Sequence, residues 1–413
     1  MMMKRKFLFL LLTAIWPLMA CAQHFSPERT GGVYYAYPDG EKKGIDMPEG
    51  YVPFYISHYG RHGSRWLPSE KRYEWVAAQL AVGKRSAMPL CSAKNLTRLG
   101  KSVKRRLKRI CRNARGNAGQ LTPLGAEQHR GIARRMVQNY PSVFQGKDTR
   151  ILARSSTSPR CRASMFAFCD ALSALLHPSS FLLSVETNPE DMAWLNYESP
   201  EQKALTDATN RQPDITTDRF ISSLFKDSSK VNEPMKLLSE LHTIASDMQD
   251  IPLDISLWDI FTPEEMMAVH DANNERMIIC NGDTTVNDGI PARSSIPLWQ
   301  HIEADADSMI ANGGHGAHLR FGHDTALYRL LTLLGIQLPG KDMEDIIPMA
   351  ANLQMVFLRG EGKEERGEGN DSVLVAFLLN EHPCHLQTSL SLLYPWADVK
   401  RMMHERISQL EGD

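Results

Sequence analysis

Residues 51–57 read YVPFYIS, and this apolar run constrains the chain more than any other segment. It has no polar break and is bounded by turn residues, as expected of a buried strand. The run passes directly into His58-Tyr59-Gly60-Arg61-His62-Gly63-Ser64-Arg65. Two glycines within four residues end the strand in a tight loop. The same pattern returns twice. TRILAR at 149–154 is followed by the loop SSTSP and a helix from about Arg160, and a strand at 317–321 leads into a helix over 324–334. Two further strands are expected at 353–358 and 373–379, separated by a charged, glycine-rich exposed loop at 360–371. Strands that alternate with helices predict an α/β sheet covered on both faces. Sites in such sheets form where loops leave the carboxyl ends of strands. Loops 58–65, 154–160 and 322–324 all occupy that position.

The first 22 residues stand apart from this pattern. Lys4, Arg5 and Lys6 precede an apolar run from Phe7 to Met19, and Ala20-Cys21-Ala22 supplies small residues at its end. This is the pattern of a secretory signal peptide, which predicts a periplasmic or secreted protein. Leu18-Met19-Ala20-Cys21 also resembles a lipobox, in which Cys21 would carry a lipid and anchor the protein to a membrane. Cleavage after Ala22 is the favoured outcome. No later segment is long and apolar enough to span a membrane.

The composition is that of an ordinary globular protein, with 42% hydrophobic residues and a formal net charge of −1. The balance of charge argues against a nucleic-acid binder, so any attraction for anions must be local. One local excess is the basic stretch from Asn95 to Arg112, with Leu99, Val103, Leu107 and Ile110 at helical spacing. It reads as a solvated amphipathic helix. The seven cysteines become six if Cys21 leaves: Cys91, Cys111, Cys161, Cys169, Cys280 and Cys384. In an exported chain an even number permits disulfides, and six allow fifteen full pairings. No CxxC pair is present, and His315, His318 and His323 alternate faces irregularly on an extended segment, so a metal site is not expected.

Three clusters carry chemistry. In Arg61-His62-Gly63-Ser64-Arg65 two guanidiniums flank one imidazole, an arrangement that repels itself unless an anion joins it. Guanidinium forks match phosphate oxygens, and a neutral imidazole can attack phosphorus. Gly63 is expected to clear space for a tetrahedral ligand. Gly322-His323-Asp324 opens a helix, where His323 can donate to the anion and Asp324 can protonate a departing alkoxide. Arg160 stands where it could close on the anion from a third side.

Taken in order, RHGSR, LTPLGAEQH at 121–129, RSSTSPR at 154–160 and GHD resemble the histidine acid phosphatases, over residues 50 to 390. The resemblance implies that His62 becomes phosphorylated, that Arg61, Arg65, Arg160 and His323 bind phosphate, and that Asp324 is the acid. It also implies that no metal or other cofactor is needed. LRFGH, the run LxxLLxLLG ending at Gly335, Pro348–Asn352 and Leu379-Asn380-Glu381 resemble the multiple inositol polyphosphate phosphatases. That subgroup usually carries His-Ala-Glu, whereas His323-Asp324-Thr325 follows acid phosphatases and many bacterial phytases. The segment after Arg65 is one residue longer than the usual RxPT, and it places Ser69 as a possible pocket residue.

The fold implied is a three-layer α/β/α core like that of phosphoglycerate mutase, with an inserted helical cap. The catalytic domain is expected over 45–75, 120–177 and 311–405, and the cap over 76–119 and 178–310. The partner implied is a small phosphate ester, with phytate or another inositol polyphosphate leading. Two alternatives are a general acid phosphatase and an exported binding protein without turnover. Lys71 and Arg162 are candidates for holding further phosphates. The sequence leaves the oligomeric state open.

Overall fold

The computed structural model describes residues 26–38, 40, 42, 44–80, 95–145, 148–178, 180–337, 347–360, 373–386 and 391–412. The expected leader, Cys21, Cys91 and most of the loop at 360–371 lie outside the described residues. Among the described residues nine strands form the sheet: β1 Tyr51–Arg61, β2 Thr149–Ser155, β3 Phe181–Glu186, β4 Gly316–Gly322, β5 Ile336–Gln337, β6 Asn352–Gly360, β7 Leu374–Leu379, β8 His382–Leu386 and β9 Tyr394–Pro395. Their order is β3-β2-β4-β1-β6-β7-β8-β5, with β9 beside β7. The β3, β2, β4 and β1 strands are parallel, and β6 starts an antiparallel half.

Strand alternation explains the layers. On β1, Tyr55 and Tyr59 join a core with Trp299, Leu327, Phe357 and Val399, while Ile56 joins another with Ile132, Phe168 and Phe321. Successive side chains point to opposite faces, so a strand apolar on both sides must be covered twice. Helices Ile296–Ala311, Asp324–Leu334 and Trp396–Gly412 cover one face, and Pro123–Asn139 and Pro159–Leu175 cover the other. The three-layer α/β/α core is therefore present.

A third apolar cluster unites helices Glu70–Gln79, Arg98–Ala114 and Pro234–Asp247 with the start of Pro263–Asn281. Helix Arg98–Ala114 buries Gly100, Val103, Leu107, Ile110 and Ala114, one stripe of an otherwise basic surface. Two parts of the span expected to form the cap belong to the sheet instead. The β3 strand pairs in parallel with β2, and helix Ile296–Ala311 buries Trp299 and Ile302 against the sheet. FLLSVE is short and mostly exposed, so its apolar signal is weaker than that of the central strands.

The five described cysteines, Cys111, Cys161, Cys169, Cys280 and Cys384, are all free thiols. Cys161 and Cys169 do share the helix Pro159–Leu175, yet each packs into the protein rather than bonding to another sulfur. Among the described residues no helix is long and apolar enough to cross a membrane, and no three His, Cys, Asp or Glu side chains are grouped as around a metal ion.

Candidate active site

Parallel pairing brings the three loops to one edge. Arg61 at the end of β1 lies opposite Gly322 at the end of β4, and Ser155 at the end of β2 lies opposite Phe321. Helix Pro159–Leu175 then starts with Arg160 in its first turn, and helix Asp324–Leu334 starts directly after His323. Backbone contacts fix His62 from two sides. Its N–H donates to Gly322 O at 3.0 Å, and its carbonyl accepts from Ala350 N at 2.9 Å. The segment Pro348–Asn352 thus clamps the loop from the antiparallel half of the sheet.

The loop rests on the start of helix Pro123–Asn139. Thr122 caps that helix and its hydroxyl also donates to Ser64 O at 3.0 Å. Gln128 holds Ser64 twice, accepting from its N–H at 2.9 Å and donating to its hydroxyl at 2.8 Å. Gly63 has a different role from the one expected. A Cβ there would stand 2.4 Å from Gly125 O, and one on Gly125 would stand 2.2 Å from Ser64 O. The glycine pair lets loop and helix touch through their backbones.

His62 is almost fully buried, and its Nδ1 lies 2.9 Å from Gly63 O. A carbonyl only accepts, so Nδ1 carries the proton and Nε2 keeps the lone pair. Burial, reinforced by Arg61, Arg65 and Arg160, pushes the His62 pKa well below its usual value and keeps the ring neutral. The His323 ring stands edge-on to His62 at 5.7 Å. Burial and Arg160 lower its pKa to about 4, and its Nδ1 is buried with no protein partner.

Arg61 is wholly buried. Its Nη1 donates to Val33 O at 2.7 Å and Ile347 O at 2.9 Å, and its Nη2 lies 3.1 Å from Asp324 Oδ2. Arg65 lies over the Tyr34 ring at 5.2 Å. The Nε atoms of Arg61, Arg65 and Arg160 are all buried without a protein acceptor. Leaving such donors unmatched costs roughly 1–3 kcal/mol each, so the cluster is built to receive an acceptor. Burial raises the Asp324 pKa, but Arg61, His323 and Arg65 outweigh it and hold the carboxyl below its ordinary value. Three guanidiniums therefore meet one directly paired carboxylate, and the surplus charge is positive.

All six principal residues read from the sequence, His62, Asp324, Arg61, Arg65, Arg160 and His323, come together here. Ser69 does not show a pocket role: its hydroxyl accepts from Lys71 N at 3.3 Å and caps helix Glu70–Gln79. Lys71 and Arg162 are exposed and do not line the cavity beside the cluster. That cavity, about 210 Å³, is walled by Tyr34, Arg72, His270, Asn273, Asn274 and Arg276. It borders the cluster through Val33 and Ile347, whose carbonyls hold Arg61. Sequence reasoning missed the segment Pro27–Tyr34, whose two glycines and lack of a periodic apolar pattern gave no signal.

No family model and no curated protein sequence matches this chain. Solved structures do. A multiple inositol polyphosphate phosphatase from Bifidobacterium longum, in complex with inositol hexasulfate, is similar at a TM-score of 0.69 and 16% identity, covering 91% of this chain and 97% of its own. The phytase from D. castellii has a TM-score of 0.67 at 14% identity, with 97% and 92% covered. The Hafnia alvei phytase has a TM-score of 0.53 at 13% identity, with 88% and 99% covered. Three layers, a parallel half-sheet and a polar cluster at its strand ends thus add up to one conclusion: the chain has the fold of the histidine acid phosphatases and phytases.

Proposed function

We propose that this chain hydrolyses phosphate monoesters through a phosphohistidine, with phytate or another inositol polyphosphate as its preferred substrate. One observation carries the reading. His62 is held as the tautomer with a free Nε2 lone pair, inside a group of three arginines that have unmatched donors. Nε2 attacks phosphorus, the P–O bond to the leaving group breaks, and Asp324 gives that oxygen a proton. Water then attacks the phosphohistidine, Asp324 takes up its proton, and the P–N bond breaks to release phosphate. Arg61, Arg65, Arg160 and His323 hold the phosphoryl oxygens and stabilise the charge that develops on them. This chemistry draws on side chains alone.

Asp324 is ionised in the empty cluster. A bound phosphate dianion places negative charge beside it, which raises its affinity for a proton. The substrate thus turns the carboxylate into an acid as it binds. The adjoining cavity supports the preference for a polyphosphate. Arg276 is tied by Nε to Thr209 O at 3.2 Å and by Nη2 to Thr206 O at 3.2 Å, and no carboxylate among the described residues pairs with it. Arg72 is already matched by Glu240. Export is part of the proposal and rests on the pattern of residues 1–22.

The test is phosphate release by the full chain from phytate, glycerol phosphate and p-nitrophenyl phosphate, with rapid alkaline quench to trap phosphohistidine, whose P–N bond survives in base. One additional charge-assisted contact predicts at least about tenfold higher kcat/KM for phytate than for glycerol phosphate. The trapped phosphoprotein should vanish, and turnover with it, in His62→Ala. Equal kcat/KM on both esters would identify a general acid phosphatase. Phytate binding without phosphate release would identify a binding protein.

A further inference from the structure

Behind the phosphate cluster lie two acidic groups that the proposed reaction does not use. Asp247 ends the cap helix Pro234–Asp247, and Asp250 follows one turn later, with its N–H donating to Asp247 O at 3.0 Å. Both are wholly buried. Asp250 Oδ1 accepts from the Ser64 hydroxyl at 2.5 Å, and Asp247 Oδ2 accepts from the Tyr73 hydroxyl at 2.5 Å. The second oxygen of each, Asp247 Oδ1 and Asp250 Oδ2, is buried with no protein partner.

Two neighbouring carboxylates without solvent cannot both ionise easily, because desolvation and mutual repulsion act in the same direction. We propose that Asp247 and Asp250 keep at least one proton between them up to neutral pH and form a positioning pair that holds Ser64 and faces Arg65. The pair touches no phosphate itself. It acts through Ser64, which Gln128 holds from the opposite side, so a contact from the cap and one from the core meet on a single loop residue. The charged and titratable groups facing the pair are Arg65 and Arg61 from the loop, and Arg72 and Tyr73 from helix Glu70–Gln79. Glu240, on the pair's own helix, engages Arg72.

Burial agrees with this reading. It raises the Asp247 pKa to about 7 and, with repulsion from Asp247, raises that of Asp250 well above the usual range. The sign for stability follows from proton counting. Between about pH 4 and 7 the unfolded chain releases protons that the folded pair keeps, so the pair's contribution to stability falls as pH rises. Negative charge on the pair, as it forms with rising pH, competes with phosphate for Arg65.

The test compares the full chain with Asp250→Asn, whose amide keeps an acceptor for Ser64. The ratio of kcat/KM, variant to wild type, should rise about tenfold between pH 5 and 8 on p-nitrophenyl phosphate, and the rise should sit in KM. Taking the ratio cancels the ionisation of the ester. The melting temperature of the variant should gain on wild type over the same range. A constant ratio together with parallel melting curves would overturn the proposal. If Asp250→Asn fails to fold, the infrared carboxylic-acid band of wild type at neutral pH decides: its presence supports the shared proton, and its absence overturns it. The kinetic arm rests on the phosphatase reading, whereas the melting and infrared arms do not. A chain that releases no phosphate would therefore sink that reading and still leave the pair testable.

Discussion

The strand ends of the sheet and the wall of the cap both carry arginines, but the two regions use them differently. At the strand ends Arg61, Arg65 and Arg160 keep unmatched donors around one paired carboxylate, and each sits on an element fixed by backbone hydrogen bonds. In the cavity wall, Arg72 is matched by Glu240 and Tyr34, while Arg276 is tied to two carbonyls. Under the proposed reaction the strand ends would be the positively charged floor where bonds break, and the better-compensated wall would choose the substrate. Loss of a floor group should therefore damage the chemistry, and loss of a wall group should damage only recognition.

Asp324→Asn should give the largest separation of substrates. An alkoxide leaves slowly without a proton, so kcat on glycerol phosphate should fall by about 10²–10⁴-fold, whereas the loss on p-nitrophenyl phosphate should stay under about tenfold. The wild-type pH profile belongs to the same argument. Asp324 is held ionised and His62 neutral before substrate arrives, so the required proton must enter with the ester. A phosphate monoester loses its second proton near pH 6, so kcat/KM on alkyl esters should fall about tenfold per unit above roughly that pH. A flat profile to pH 8, or equal losses on both substrates in the variant, would remove Asp324 from the role of acid.

The floor was legible in the sequence because each of its parts is local. RHGSR, the arginine in the first turn of helix Pro159–Leu175 and GHD each follow a strong strand, and parallel strands deliver their carboxyl ends to one edge. What the residue types alone misjudged was Gly63, which serves contact with Gly125 rather than room for a ligand. That contact joins segments 62 residues apart, and only the fold reveals it. The wall was less legible for a related reason. Arg276, Asn273 and His270 lie on a helix whose surface pattern resembles any solvated helix, and Tyr34 comes from a segment without periodicity. Nothing in the sequence sets Asp247 and Asp250 apart from surface carboxylates, because burial of an acid leaves no trace in the order of residues. The β3 strand was hidden by its edge position, where four of its six residues are exposed and none is fully buried.

Arg276→Ala should show the wall acting alone. Arg276 lines the cavity, and among the described residues its Nη1 has no carbonyl or carboxylate partner. Removing one charge-assisted contact of about 1.5–3 kcal/mol should raise KM for phytate by roughly tenfold or more. The kcat on phytate and both constants on p-nitrophenyl phosphate should stay within about twofold, since the small ester does not reach the wall. A matching loss on p-nitrophenyl phosphate would mean that Arg276 supports the floor, and the division between the two regions would fail.

The finest comparison uses two helix caps of equal chemistry. Thr122 caps helix Pro123–Asn139 beneath the floor, with Gly125 N donating to its hydroxyl at 3.1 Å. Thr262 caps helix Pro263–Asn281 in the cap, within a capping box completed by Glu265. Replacing either with alanine should lower stability by about 1 kcal/mol in urea unfolding. Only Thr122 also donates to Ser64 O, so only its loss lets the His62 loop shift. Thr122→Ala should therefore lower kcat/KM several-fold, equally for phytate and p-nitrophenyl phosphate, because a misplaced nucleophile slows every substrate. Thr262→Ala should leave p-nitrophenyl phosphate kinetics unchanged at the same cost in stability. If the two variants lose activity in parallel with stability, the floor owes its geometry to the stability of the whole chain rather than to the contacts that pin Ser64.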